Sequence, residues 1–260
     1  MSTTTDDEIS SDEDYRFANA HGTVMIVAWM ILASTGILFV RYGRFLRIGK
    51  EMRILGKVIW FQVHRVALSV TAIATLLGFF LILAQTGAQW VDINDGGRVL
   101  AHSILGIIIV CCTQIQLYMA LFRCHSDSRF RFIFNWMHRL TGLLSFTLSI
   151  PTIFLIVSTF SNYHDGLVAI LSLWSAWAVI IVIIFEIIEY RSRRMSILST
   201  DSRRRHEATG DHRSSNDEMD GIEDTNIQSF NRIRLFLFLL HIIIAISLAI
   251  PLIVLIWIQA

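Results

Sequence analysis

The stretch VLAHSILGIIIVCCTQIQLYMALFR (residues 99–123) contains no carboxylate and meets its first arginine or lysine only at Arg123. A helix that crosses a bilayer needs about 20 mostly apolar residues, and this stretch meets that requirement. Five more do so, over 21–42, 59–85, 133–160, 167–190 and 233–259. The chain of 260 residues is 54% apolar and 17% charged, too apolar for an ordinary soluble domain. The sequence therefore predicts an all-α membrane protein with six transmembrane helices, the first four forming a bundle.

Net charge is near zero, so it points to no nucleic-acid partner; its distribution says more. The links after the first span (Arg41, Arg44, Arg47, Lys50, Arg53, Lys57), after the third (Arg123, Arg129, Arg131) and after the fifth (Arg191, Arg193, Arg194, Arg203 to Arg205) are basic. The N-terminal tail and the links 86–98 and 161–166 are acidic or nearly neutral. All basic links fall on one side, which the positive-inside bias assigns to the cytosol. Both termini are then extracytosolic or lumenal, in the plasma membrane or an endomembrane vesicle. Residues 1–20 read as an acidic extracytosolic tail without a cleavable signal pattern. Residues 21–190 carry helices one to five, 191–232 read as a disordered cytosolic loop rich in Ser, Arg, Asp and Glu, and 233–260 hold the sixth helix. Within that loop Arg193-Arg194-Met195-Ser196 has the form of a basic-directed kinase site. Cys111 and Cys112 fall in mid-membrane and Cys124 at its edge, so no disulfide framework is implied.

Histidine inside a membrane span is costly unless paired and marks a functional site by default. At 1.5 Å per residue, His21 and His102 lie within about one turn of the outer surface, and His64 and His138 about one to two turns inside the cytosolic one. Helices one and three, and two and four, are diagonal partners in an up-down bundle. Two imidazoles facing each other at one depth suit the two axial positions of a haem iron, so His21 with His102 and His64 with His138 are candidate ligands of two haem b groups. The two sites would stand roughly 20–25 Å apart along the membrane normal. Gly22, Gly78, Gly106 and Gly142 leave room for a flat macrocycle. Arg65 and Arg139 directly follow the inner histidines and could meet haem propionates or an anionic donor. A faint repeat of helix pairs accompanies this pattern. Zinc fits less well, because the outer pair has no third or fourth ligand at its depth.

His241, in the last span, reads as a spare ligand, a proton-handling group or a satisfied core residue. Glu186 and Glu189 read as interfacial partners of Arg191 or Arg193. Trp29, Trp136, Trp174 and Trp177 read as packing residues, and Pro151 as a kink in the fourth span. His125, His164, His206 and His212 read as solvated, and Asp92, Asp95 and Asp165 as loop acids that could hold a ferric substrate.

Four motifs, HGTVMIVAW at His21, WFQVHR at His64, AHSILG at His102 and NWMHRLTG at His138, resemble the cytochrome b561 superfamily. The resemblance is closest to the b561 core of ferric-chelate reductase 1-like and DOMON-associated proteins and runs from residue 20 onward. It implies six helices, two haems on the corresponding histidines, often a homodimer, and electron transfer from cytosolic ascorbate to an outer acceptor such as ferric iron or monodehydroascorbate. A reeler or DOMON domain often precedes that core; here an acidic tail of about twenty residues does, and the chain reads as a stand-alone core or an isoform. The ascorbate motif of the chromaffin-type branch is not recognisable, so the donor rests on the resemblance and on the basic link 41–57. Two further readings stand beside this oxidoreductase: a haem-bearing electron-transfer subunit for a partner reductase, and a haem-free polytopic transporter or scaffold.

Overall fold

The computed structural model describes residues 15–45, 53–54, 57–92, 94, 96–122, 129–160, 164–209 and 215–258. The acidic tail up to residue 14, Arg47, Lys50, Asp95, Arg123, Cys124, His125 and His212 lie outside the described residues, as does the side chain of His206. Six helices follow one another: α1 (Arg16–Tyr42), α2 (Ile59–Gln85), α3 (Gly97–Leu121), α4 (Arg131–Val157), α5 (His164–Thr209) and α6 (Ser215–Ile258). Each holds a stretch long and apolar enough to cross a bilayer, and the chain is a multi-pass membrane protein. A two-residue strand pair, β1 (Arg53–Ile54) with β2 (Lys57–Val58), runs antiparallel directly before α2.

The helix ends follow from local chemistry. α2 closes in a Schellman arrangement: Ala88 N–H bonds Leu83 O at 2.8 Å and Gly87 N–H bonds Ala84 O at 3.4 Å. The motif requires a left-handed residue just past the helix, and Gly87 takes it at φ +59°. Gly96 precedes α3 at φ +109°, where a side chain would be strained.

Helix α1 organises the packing. Ile26 and Met30 join Ile153 and Val157 of α4, Leu167, Leu171 and Trp174 of α5, and Leu252 and Ile256 of α6 in one core cluster. Leu38 and Tyr42 meet Ile181, Phe185, Leu237 and Phe238 in a second, between α1, α5 and α6. Ala28, Trp29 and Ala33 meet Ile109 of α3 in a third, against which Leu68 of α2 and Phe146 of α4 pack. A helix in lipid gains little from apolar burial alone and is held by close packing and hydrogen bonds; α1 supplies both to two bundles, α1–α4 and α1–α5–α6. Its middle, Val27–Ala33, is π-helical. Carbonyls of this wider turn accept hydroxyl groups, from Ser34 Oγ to Met30 O at 2.6 Å and from Thr71 Oγ1 of α2 to Ala28 O at 3.3 Å.

Two boundaries differ from the sequence reading. α1 starts at Arg16, a turn before residue 21. The stretch 191–232, read as a disordered loop, is helical to Thr209 and again from Ser215. Between Tyr190 and Thr209 there is neither proline nor glycine, and Gly210 follows the last helical residue. Trp136 is exposed, whereas Trp29 and Trp174 are buried. α4 continues through Pro151.

Candidate functional site: two histidine pairs

His21, His64 and His102 are each the sixth residue of their helix, and His138 is the eighth of α4. Because successive helices run antiparallel, His21 and His102 share one end of the bundle and His64 and His138 the other. In both pairs the rings face each other with centroids 6.3 Å apart, at interplanar angles of 77° and 82°.

Backbone carbonyls of neighbouring helices orient the rings. His21 Nδ1 lies 2.7 Å from Gly78 O of α2, and His64 Nδ1 of α2 lies 3.1 Å from Gly36 O of α1. The two helices thus exchange reciprocal bonds, each giving a histidine at one end and a carbonyl at the other. His102 Nδ1 lies 2.8 Å from Thr152 O of α4. Thr152 stands as far beyond His138 as Gly78 stands beyond His64, fourteen residues in each case, so the helix pair repeats in geometry. A carbonyl only accepts, so each of these Nδ1 atoms carries the proton and Nε2 is the unprotonated nitrogen. His138 stacks on Phe134 with centroids 6.2 Å apart.

Small residues let the helices approach and leave room between them. A Cβ on Gly36 would come within 3.0 Å of Leu68 Cδ2 and 3.2 Å of Ala67 Cβ. Gly36→Ala is therefore expected to push α1 from α2, lengthen the His64 bond and cost about 1–3 kcal/mol. Thermal unfolding of Gly36→Ala alone and combined with Leu68→Ala checks this, the second change restoring part of the loss. Gly106, one turn beyond His102, has no atom within 4 Å of its ideal Cβ, and Gly142, one turn beyond His138, meets only Gln116, at 3.6 Å. Open space therefore lies against α3 at Gly106, whereas the space at Gly142 of α4 is already met by Gln116. Gln116 Nε2 donates to His138 O at 2.9 Å and to Thr141 Oγ1, and Gln114 Nε2 donates to Ala72 O at 3.1 Å, so α3 is tied to both helices that carry the inner histidines.

Arg65 and Arg139 are exposed at the inner end, and Arg65 Nη1 reaches Gln62 Oε1 at 3.5 Å. At the outer end Arg98, one turn before His102, donates to Ser158 O at 2.9 Å. The sequence reading missed Arg98; its i,i+4 spacing to a candidate ligand was the available signal. Asp92 accepts from Asn94 N–H, Asp165 lies in the first turn of α5, and both are exposed. His164 opens α5.

His241 stands apart from both pairs and is 1% exposed. Trp177 Nε1 donates to its Nδ1 at 3.2 Å, and its Nε2 lies 3.1 Å from Ser34 Oγ, whose own proton goes to Met30 O. Indole only donates, so Nε2 carries the ring proton. With both nitrogens engaged, His241 is a satisfied core residue joining α1, α5 and α6. Trp177→Phe removes the donor to a buried nitrogen and is expected to cost about 1–3 kcal/mol, read as a lower unfolding temperature. Glu186 pairs with Arg41 and Tyr42 of α1, not with Arg191 or Arg193. Glu189 bonds Arg193 at 2.7 Å and Arg234 of α6 at 3.1 Å. Among the described residues, no cluster of three or more His, Cys, Asp or Glu side chains could hold a metal ion.

Six helices with opposed histidines at both ends of a bundle describe a class of membrane protein, and sequence comparison names its relatives. Over the b561-like region the chain is homologous to ferric-chelate reductase 1 and to cytochrome b561 and DOMON domain-containing proteins. It is 32% identical to ferric-chelate reductase 1 of Bos taurus over 136 residues, 52% of this chain and 21% of that protein. To ferric-chelate reductase 1 of Homo sapiens it is 31% identical over 135 residues, 52% of this chain and 22% of that protein. To a cytochrome b561 and DOMON domain-containing protein of Arabidopsis thaliana it is 27% identical over 146 residues, 55% and 32% of the two chains. The chain thus spans between about a fifth and a third of the length of these curated relatives. No family model and no solved structure matches.

Proposed function

We propose that the chain is a transmembrane b-type cytochrome that carries electrons from a donor at the basic, cytosolic face to an acceptor at the opposite face, with two haem b groups held by His21 with His102 and by His64 with His138. The observation that carries this reading is the 6.3 Å between ring centroids in both pairs. Two imidazoles bound through Nε2 to one metal at about 2 Å each place their ring centres roughly 6 Å apart. Haem supplies a one-electron iron couple.

The chain's own residues do the rest. Gly78, Gly36 and Thr152 hold three of the rings in the tautomer that presents Nε2. Gly106 leaves open space beside the outer pair, where such a group needs room. Trp29, Ile109 and their neighbours fill the core between the two pairs with apolar atoms and keep water out. Arg65 and Arg139 add charge at the inner end and Arg98 at the outer. The exposed cations of the inner face attract an anionic reductant such as ascorbate, and ferric iron or monodehydroascorbate is the acceptor class.

A reduced-minus-oxidised absorption spectrum of the detergent-purified chain, with ascorbate as reductant, tests the reading. Low-spin b-type bands are the expected result; a featureless spectrum from protein made with ample haem would overturn it. Reduction of a ferric chelate outside liposomes loaded with ascorbate tests the direction and the acceptor.

A further inference from the structure

Beyond the apolar part of α5 lies a serine that electron transfer does not use. The sequence Arg193-Arg194-Met195-Ser196-Ile197 places two arginines three and two residues before a hydroxyl and an apolar residue just after it, the pattern that basophilic serine kinases read. Ser196 is exposed, and so are Met195, Ile197 and Leu198 around it. The hydroxyls of Ser199 and Thr200 turn back to the Ser196 carbonyl at 3.0 and 2.8 Å. Opening these turns for a kinase cleft therefore exposes little apolar surface, as locally labile segments require.

Ser196 also stands beside a bridge between helices. Glu189 is 8% exposed at its side chain, as is Arg234 at 5%, whereas Arg193 is 64% exposed. One carboxylate thus holds a buried guanidinium on α6 and a surface guanidinium on its own helix. Arg193 lies three residues before Ser196, on the same face of α5.

We propose that Ser196 is a phosphorylation site for a basophilic serine kinase and that its phosphate draws Arg193 away from Glu189. The phosphoryl group passes from ATP to Ser196 Oγ: the bond from the γ-phosphorus to ADP breaks, the Oγ–P bond forms, and the hydroxyl proton leaves to the medium. A phosphoserine opposite an arginine gains charge-assisted bonds that a single carboxylate oxygen cannot match. Glu189 then keeps Arg234 of α6 but loses the cation of its own helix, so the phosphate removes an i,i+4 brace within α5. The inference rests on the basic face being cytosolic, where ATP is found, and not on the haem reading.

The test uses the full chain and the catalytic subunit of cyclic-AMP-dependent protein kinase with labelled ATP, in detergent and in sealed vesicles of both orientations. The expected result is about one phosphate per chain, mapped to Ser196, absent from Ser196→Ala and present in only those vesicles that expose the basic face. Arg193→Ala with Arg194→Ala is expected to lower kcat/KM for phosphorylation by roughly tenfold or more. Hydrogen exchange along α5 around Glu189 and Arg193 should quicken on phosphorylation, and Arg193→Ala alone should give the same change, with no further gain from phosphate. Labelling that persists in Ser196→Ala, or only from the opposite face, would overturn the site, and unchanged exchange would overturn the coupling to Arg193. None of these readouts requires haem, so they stand or fall apart from the absorption spectrum.

Discussion

His102→Ala, purified with its bundle intact, is expected to retain about half of the haem of the unaltered chain. The two pairs share no side chain: His102 faces His21 at one end of the bundle, and His64 faces His138 at the other. If the pairs hold haem as proposed, loss of one imidazole would leave His21 alone at its end of the bundle, while the opposite pair would keep both of its rings. His64→Ala should mirror this result at the inner end, and the double variant should bring essentially none. Haem per chain, with the low-spin resonance signals of each single variant, gives the measure. Undiminished haem in His102→Ala would exclude the outer pair as a ligand set. A change at Thr152 that keeps the backbone should matter far less, because His102 bonds the carbonyl and not the side chain.

Glu189→Leu is expected to be the most destabilising single change among the ion pairs. Arg234, 4% exposed, would keep its charge but lose the carboxylate that lies 3.1 Å from it. Removing one partner of a buried pair costs about 3–5 kcal/mol, whereas replacing both by apolar groups of similar volume is often neutral. Glu189→Leu with Arg234→Met should therefore recover most of the stability. Arg193→Ala, at the exposed end of the same carboxylate, should cost about 1 kcal/mol or less. Thermal unfolding of the three variants in one detergent checks the order, and a double variant no better than Glu189→Leu would show that the pair does more than satisfy itself.

The spans were legible because apolar runs in a bilayer must be helical, and 97–121 differs from the expected 99–123 by two residues at either end. The facing of His21 with His102 and of His64 with His138 was legible because rise per residue turns sequence distance from a helix end into depth. The bonds that orient the rings were not, since Gly36, Gly78 and Thr152 act through carbonyls that every residue carries. Long-range side-chain partners escaped for a related reason. Glu186 had nearer cations in sequence than Arg41, yet α1 brings Arg41 to it. Gln114 and Gln116 stand two apart in an apolar run, and only packing shows that they face opposite neighbours. The continuation of α5 past residue 190 was hidden by a composition suited equally to a solvated helix and to a disordered chain.

Ser34 of α1 and His241 of α6 are 207 positions apart along the chain. At a synthesis rate of about 5–20 residues per second, the first of these groups leaves the ribosome roughly 10 to 40 s before its partner. During that interval α1 lies in the bilayer with one face lacking its final neighbours, while α2, α3 and α4 arrive to cover the other. Assembly is thus ordered by translation itself, with the four-helix half able to close first and the last helix locking the first in place, and truncations ahead of His241 should be recognised and degraded as unfinished protein.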